Sequence, residues 1–505
     1  MAKFKVAAVF SNNMVLQRDK NIKIFGQGNN DDMVCVTFGD KTYKVKVKAE
    51  RWSILLPPMS AGTGYQMTVA CKEEVKCFEN IAIGEVWLAG GQSNMEFELQ
   101  NCLGGHEMLE KDRDPRVRFY YTNKIAHMDD HFFEMEEQSS WSEFSEENAK
   151  DWSAVGYIFG KRLAKELDVT VGIIGCNWGG TSASCWMSKE ALSEDTELNT
   201  YLEEYYKGIE GKTEEEQIRE YREYEAYHFI WEQHKDKLYE ENPQIEWDEV
   251  LKICGDCKWP GPKNRMSPYR PGGLYETMLQ RVMPYTLRGF LFYQGEEDAN
   301  KPTLYEKLLT RMIRQWREGW EDINLPFLLV QLPMHRYKAD PDTKSWSLIR
   351  EAQMNIFQEL KNTGIAVVLD CGEFNEIHPK DKVPVGERLG LQALYQVYGR
   401  IDDHEAFGPI FKSYEIKDSY IELDFFYGKD GFDIKGVISG FEIAGEDFNY
   451  VKAEARIKGS KIQVFSPEVK EPRHVRYCWT NYAEVTIYGK NGIPLAPFRT
   501  SNRQG

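Results

Sequence analysis

Between about Ile81 and Arg400, five short apolar runs alternate with longer amphipathic stretches, and that alternation constrains the fold more than any other feature. The runs are EVWLAGG (85–91), VTVGIIGC (169–176), GFLFYQG (289–295), PFLLVQLP (326–333) and GIAVVLD (364–370). Near-continuous apolar strands are expected where both faces of a sheet are covered. From Ser153 to Leu167, Val155, Ile158, Phe159 and Leu163 fall on one face of a predicted helix. A second helix is expected to begin at Thr303, with Glu306 three residues on in a capping-box pattern and Leu304, Leu308, Met312 and Trp316 facing inward. Strand–helix alternation of this kind predicts an α/β fold with a parallel sheet between helices. Strand order is not readable from it.

The pattern changes on either side. Val34, Val36 and Phe38 alternate with polar neighbours, Gly39-Asp40 offers a tight turn, and Tyr43, Val45 and Val47 alternate again, which predicts a hairpin. Residues 1–80 therefore read as a small β-sandwich. Alternation returns from Gly408 to 505, with Ile421, Leu423 and Phe425 in step and a hairpin turn at Gly459-Ser460. This second β region is expected to pack near the first. Residues 189–259 interrupt the central pattern with an acidic, aromatic helical insertion. The division is 1–80, 81–405 carrying that insertion, and 408–505. Roughly three domains also suit a chain of 505 residues.

A balance of 63 basic against 80 acidic residues gives a charge of −17, which argues against a nucleic-acid binder. Aromatic residues at 13% exclude intrinsic disorder. The start, MAKFKVAAVFSNN, shows no signal-peptide pattern, and the uncharged stretch Val169–Ser188 reads as a buried strand running into a polar loop rather than a membrane span. Ten scattered cysteines predict free thiols and a reducing, cytoplasmic setting. The lone Cys254-Gly255-Asp256-Cys257 pair has no partner set for zinc, and no metal or other cofactor is expected.

In open α/β sheets ligands bind beyond the carboxyl ends of the strands. Gly91-Gln92-Ser93-Asn94-Met95 follows the first run, placing Ser93 on a strand-to-helix turn with its own amide at a helix N-terminus. Such a serine serves either as a nucleophile or as a plain helix cap. Asn177-Trp178-Gly179-Gly180-Thr181 follows the second run, and Gly amides there can approach a ligand. Gln294-Gly295-Glu296 follows the third, where an amide side chain can donate to an oxyanion. Asn375-Glu376-Ile377-His378-Pro379 follows the last. Singly each signal is weak. Four strand ends offering a hydroxyl, Gly amides, an amide donor and an imidazole form a joint signal for nucleophilic hydrolysis.

These blocks, GQSNM, NWGGT, FYQGE with Ala299-Asn300 behind it, and NEIHP, resemble the four motif blocks of the SGNH hydrolases, and more closely the sialate O-acetylesterase family of carbohydrate acetylesterases. The stretches Phe10–Arg18, Ile83–Trp87, Leu348–Gln353, Arg476–Trp479 and Pro497–Thr500 echo that family too, so the resemblance covers nearly the whole chain. It implies a flavodoxin-like, three-layer parallel-sheet core with accessory β-sandwich regions at both ends. By the same resemblance Ser93 is the nucleophile and His378 the base. The Ser93 amide, a Gly179 or Gly180 amide and the Gln294 side chain are the oxyanion donors. Gln92, Asn94, Trp178 and Glu296 are expected to contact substrate. The usual Asp three residues before the His is replaced by Asn375, with Glu376 next to it. The expectation is a Ser–His dyad whose ring is oriented by a neutral acceptor near Asn375, with Glu376 as the alternative. The implied substrate is a small O-acetylated sialic acid. Acetylated plant-polysaccharide fragments or a non-catalytic glycan-binding role are the alternatives. Arg265, Arg270, Arg336 and Arg350 lie near the motif loops as cations for a sialate carboxylate. A membrane partner is not expected, and a homo-oligomer is possible.

Overall fold

The structure is a computed structural model that describes residues 4–501 apart from 112, 243 and 244, so the first three residues of the amino-terminal stretch read above lie outside it. All five apolar runs are strands of one sheet. In chain order its parallel strands are β1 (Glu74–Gly91), β2 (Val117–Tyr121), β3 (Val171–Asn177), β4 (Gly289–Tyr293), β5 (Phe327–Gln331) and β6 (Thr363–Val367). They lie side by side as β2-β3-β1-β4-β5-β6, with Ser142–Glu143 antiparallel at the β2 edge. The chain thus leaves β1 for one side, returns beside it, and then crosses to the other. Register aligns Asn177 with Gly91 and Gly91 with Tyr293, so three strands end together at the reversal of strand order. Crevices for ligands form at such points.

Helices α2 (Ala154–Leu167) and α6 (Val383–Gln396) pack on one another and on the face bearing Trp87, whose ring meets Phe159 edge-on. Helix α4 (Tyr305–Gly319) covers the opposite face, its Trp316 against Phe290, Phe292 and Phe327, and α5 (Ser345–Glu359) packs beside it. The α2 helix begins as expected, with Ser153 capping the Gly156 amide. The α4 helix does not begin as expected. It starts at Tyr305 with no side-chain cap, and Glu306 accepts instead from Asn355 of α5. A tertiary partner has displaced the local one.

β1 is 18 residues long, and its length joins two regions that the sequence pattern separates. Its first half pairs with Gly62–Cys71, which pairs with Met33–Phe38, the first strand of the expected hairpin. Its buried Glu85 accepts from Arg18, Arg288 and Gln17, so the FSNNMVLQR and IGEVW motifs meet in one ion-pair knot. Burial opposes ionisation of Glu85, yet those donors hold its carboxyl below the ordinary range.

The carboxy-terminal strands, including the Glu454–Lys458/Lys461–Phe465 hairpin, share their apolar core with Met334, Met354, Ile365 and Val367. They therefore pack on the β6 side of the sheet. The amino-terminal strands belong to the other core cluster, with β1. The insertion forms Lys189–Ser193, Asn199–Ile209, α3 (Glu214–Glu241) and Trp247–Cys254. A Thr213/Glu216 capping box starts α3. No helix among the described residues is long and apolar enough to cross a membrane, and the ten cysteines are all free thiols.

Candidate active site

The end of β1 admits only glycine. Gly91 has φ +136, and a β-carbon there would lie 2.1 Å from the Tyr293 carbonyl oxygen. This close approach turns the chain so that Gln92 takes the N-cap position, without a side-chain capping bond, of a four-residue helix, α1 (Ser93–Glu96), whose first residue is the serine. The Ser93 Oγ lies 2.8 Å from His378 Nε2, on the loop after β6. Residues 285 apart in sequence are thus in hydrogen-bond contact at the strand ends.

Desolvation lowers the His378 pKa to about 4, with help from Lys382, His335 and Lys235. A neutral ring can accept a proton at Nε2 if Nδ1 carries the hydrogen. The nearest carboxylate to Nδ1 is Glu376 Oε1 at 3.8 Å, while the same oxygen accepts the His378 backbone amide at 2.7 Å. Asn375 does not play the part expected of it. It sits in the left-handed region with φ 65, its amide donates to Arg336 O, and its Oδ1 accepts from the Lys338 amide. Those bonds tie Asn375 to the 336–338 loop, leaving Glu376 as the group beside the ring.

The oxyanion expectation is also corrected in part. Gln294 is fully buried. Its Nε2 donates to Thr181 O (3.1 Å) and Asp298 Oδ2 (2.7 Å), and its Oε1 accepts from the Tyr305 hydroxyl. Both amide hydrogens are spent on the framework that holds the Gly-Gly loop. Asp298 is the hub of that framework, accepting from Ser182 Oγ and the Ala183 amide as well. The Gly179 amide donates to Glu96 Oε2 at 2.7 Å. A β-carbon at Gly179 would sit 3.3 Å from that of Ser93, so this loop packs directly on the serine. The Ser93 and Gly180 amides have no acceptor among the described residues and remain the available donors.

Of the residues expected to contact substrate, Trp178 alone is partly exposed, with the Lys124 ammonium 5.9 Å from its ring centroid. Gln92, Asn94 and Glu296 are buried. Gln92 accepts from the Glu297 amide, and Asn94 donates to Glu296 Oε1 at 2.7 Å. They shape the turn from behind. Three of the four arginines are committed elsewhere: Arg350 to the Trp346 and Thr480 carbonyls, Arg270 to Glu276, Arg265 to Glu214. Arg336 forms no ion pair among the described residues and lies over Phe374, on the loop bonded to Asn375.

Sequence reading missed Asp298, Lys382 and Trp259. Asp298 carries a usable signal, lying two residues past Glu296 in the FYQGEED run. The Trp259 ring closes on Gly180 so tightly that a β-carbon there would be 2.1 Å from it.

A serine hydroxyl bonded to a neutral imidazole, beside free amides at the ends of a parallel sheet, has the arrangement of a serine esterase site. The structure superimposes on the crystal structure of a carbohydrate acetylesterase from Xanthomonas citri with a TM-score of 0.78 and 27% identity, covering 99% of this chain and 100% of that one. This is a carbohydrate esterase chain. Residues 261–393 match the family described as carbohydrate esterase, sialic acid-specific acetylesterase. The sialate O-acetylesterase of Mus musculus is 26% identical over 463 residues, 85% of this chain and 79% of its own. That of Homo sapiens is 26% identical over 438 residues, 78% of this chain and 71% of its own. The chain is thus similar to the sialate O-acetylesterases over most of its length.

Proposed function

We propose that the protein hydrolyses O-acetyl esters of sialic acids through an acetyl-enzyme on Ser93, using an SGNH-type core. The observation that carries this reading is the 2.8 Å contact of Ser93 Oγ with His378 Nε2 beside two free amides. His378 Nε2 takes the hydroxyl proton as Oγ attacks the acetyl carbonyl carbon. The carbonyl oxygen, now negative, receives the Ser93 and Gly180 amides. Collapse of the tetrahedral intermediate breaks the bond to the sugar oxygen, which leaves as an alcohol with the proton from His378. Water then loses a proton to His378, attacks the acetyl-Ser93 carbonyl, and releases acetate with the serine restored. Glu376, at 3.8 Å from Nδ1, supplies negative charge as the imidazolium forms.

Arg336 supports the sialate assignment, because a cation without a carboxylate partner on the loop beside His378 suits an anionic sugar. A neutral plant-derived sugar would gain nothing from it. Acetate release should be measured on a panel of O-acetylated sialic acids and acetylated xylo-oligosaccharides. The reading expects the sialic acids to be turned over faster, and Arg336→Ala to narrow the gap. Faster turnover of the neutral panel, unchanged in Arg336→Ala, would replace it with the polysaccharide reading.

A further inference from the structure

The residue after the nucleophile is the centre of a buried polar cluster that the hydrolytic steps above do not use. Asn94 is fully buried, and each of its polar atoms is engaged. Its Nδ2 donates to Glu296 Oε1 (2.7 Å) and to Ile377 O (3.0 Å). Its Oδ1 accepts from Lys382 Nζ at 2.5 Å. Ile377 immediately precedes His378, so Asn94 ties the residue after Ser93 to the residue before His378. Lys382 is itself fully buried, four residues beyond His378, where the chain turns into α6. Its ammonium lies 4.7 Å from the Phe97 ring centroid and 5.6 Å from that of Tyr293, and it forms no ion pair at salt-bridge distance among the described residues.

Burying an ammonium is costly unless its donors are used, and its direct contacts here are an amide oxygen and two ring faces, with the Glu296 and Glu373 carboxylates acting from farther off. A fold that needed only a filled cavity would do as well with a methionine. The charge also acts on the base. It is among the groups that lower the His378 pKa, with desolvation as the largest cause and His335 and Lys235 acting in the same sense. Glu376 is the opposing charge on the base's own loop. Around Lys382, burial lowers its pKa to about 8 against the pull of Glu296 and Glu373. It is therefore charged across the neutral range.

We propose that Lys382 is a positioning residue for the esterase reaction, holding the His378 loop against the Ser93 turn through Asn94. The inference rests on the Ser93–His378 reading. A misplacement of about 1 Å between the reacting groups costs on the order of 10²-fold in rate, which is the scale of effect that this tie controls.

Lys382→Met, Lys382→Arg and Ser93→Ala should be assayed with 4-nitrophenyl acetate across pH, with near-UV circular dichroism on each. For folded Lys382→Met the expectation is a kcat loss of about 10²-fold with KM within about threefold. The acid limb of kcat/KM should move to higher pH, because removing a positive neighbour lets the His378 pKa rise. Lys382→Arg should restore the limb, since it keeps the charge. A kcat within about threefold of the parent, or a limb that does not move, overturns the proposal. If Lys382→Met does not fold, Asn94→Asp carries the test. It keeps the acceptor for Lys382 but removes the donor to Ile377 O, and the same kcat loss at unchanged KM is expected. A folded Asn94→Asp with parental kcat overturns it. Activity surviving in Ser93→Ala would instead bring down the Ser93–His378 reading itself, so the two failures are distinguishable.

Discussion

Behind Ser93 lie the buried Asn94, Glu296 and Lys382, the last two each bonded to Asn94, while in front of it the inserted region brings up Trp259, left 41% exposed against Gly180. The rear is rigid by construction: each move of Asn94 would leave a buried donor or acceptor without a partner, at about 1–3 kcal/mol apiece. The front is an aromatic surface held by ring contacts, Trp259 edge-on to Tyr269 at 4.6 Å, and Tyr224, His228 and Trp231 stacked along α3. On the proposed mechanism the rear fixes the geometry of the reacting atoms, and the front meets the substrate. Variants should therefore separate into those that change turnover and those that change selection.

The largest effect is expected from Ser93→Ala, which should lower kcat by about 10⁴-fold or more with the fold intact. Glu376→Gln comes next. Among the described residues its carboxylate is the only one within 4 Å of Nδ1, yet at 3.8 Å it is beyond hydrogen-bond reach, so a loss of roughly 10- to 10²-fold in kcat/KM is expected. A loss near 10⁴ would make Glu376 a full triad member, and a loss below about twofold would return the ring to a neutral acceptor. Trp259→Ala should raise KM for an acetylated oligosaccharide about tenfold, the loss of roughly 1.4 kcal/mol of stacking, and leave 4-nitrophenyl acetate within about twofold. Equal losses on both substrates would put Trp259 with the rear region instead.

The pH profile sharpens the same division. With His378 lowered to about 4, the base is neutral and active above that value, so kcat/KM should hold as pH falls through 6 and decline only toward about 4. A midpoint near the ordinary histidine value of about 6.5 would mean that the ring is not desolvated as the structure has it. The smallest catalytic effect is expected from Gln294→Ala. Its donors serve Thr181 and Asp298, so it should cost about 1–3 kcal/mol of stability by thermal or urea unfolding. A stable variant that loses 10²-fold or more in kcat would restore Gln294 to the oxyanion hole.

How much of this is legible in the sequence follows the same line. The strands are readable because burial on both faces leaves unbroken apolar runs, and the Gly39-Asp40 and Gly459-Ser460 hairpins because two-residue alternation is local. Ser93 and His378 are readable because the sites of open sheets lie just past strand ends. What is hidden is the direction of each neighbouring side chain. Gln92, Asn94, Glu296 and Gln294 sit in the right motifs, but the packing of α4, α5 and α6 turns them inward, and no periodicity records that. Asn375 and Glu376 are adjacent in sequence, and a left-handed φ at Asn375 sends the two side chains to different partners. Lys382 reads as one more charged residue in PKDK until the chain is seen to fold it under Phe97. Trp259 is distant in sequence from the Gly180 it covers, and only the return of the insertion onto the core brings them together.

The account turns on Ser93 carrying the acetyl group. The direct measurement is to quench the enzyme in acid during turnover of 4-nitrophenyl acetate and map acetylation by peptide mass spectrometry. The account predicts one acetyl group per chain on the peptide holding Ser93, absent from Ser93→Ala and accumulating in a slowed Glu376→Gln variant. Acetylation at another residue, or full turnover with Ser93 unmodified and replaceable, would contradict it.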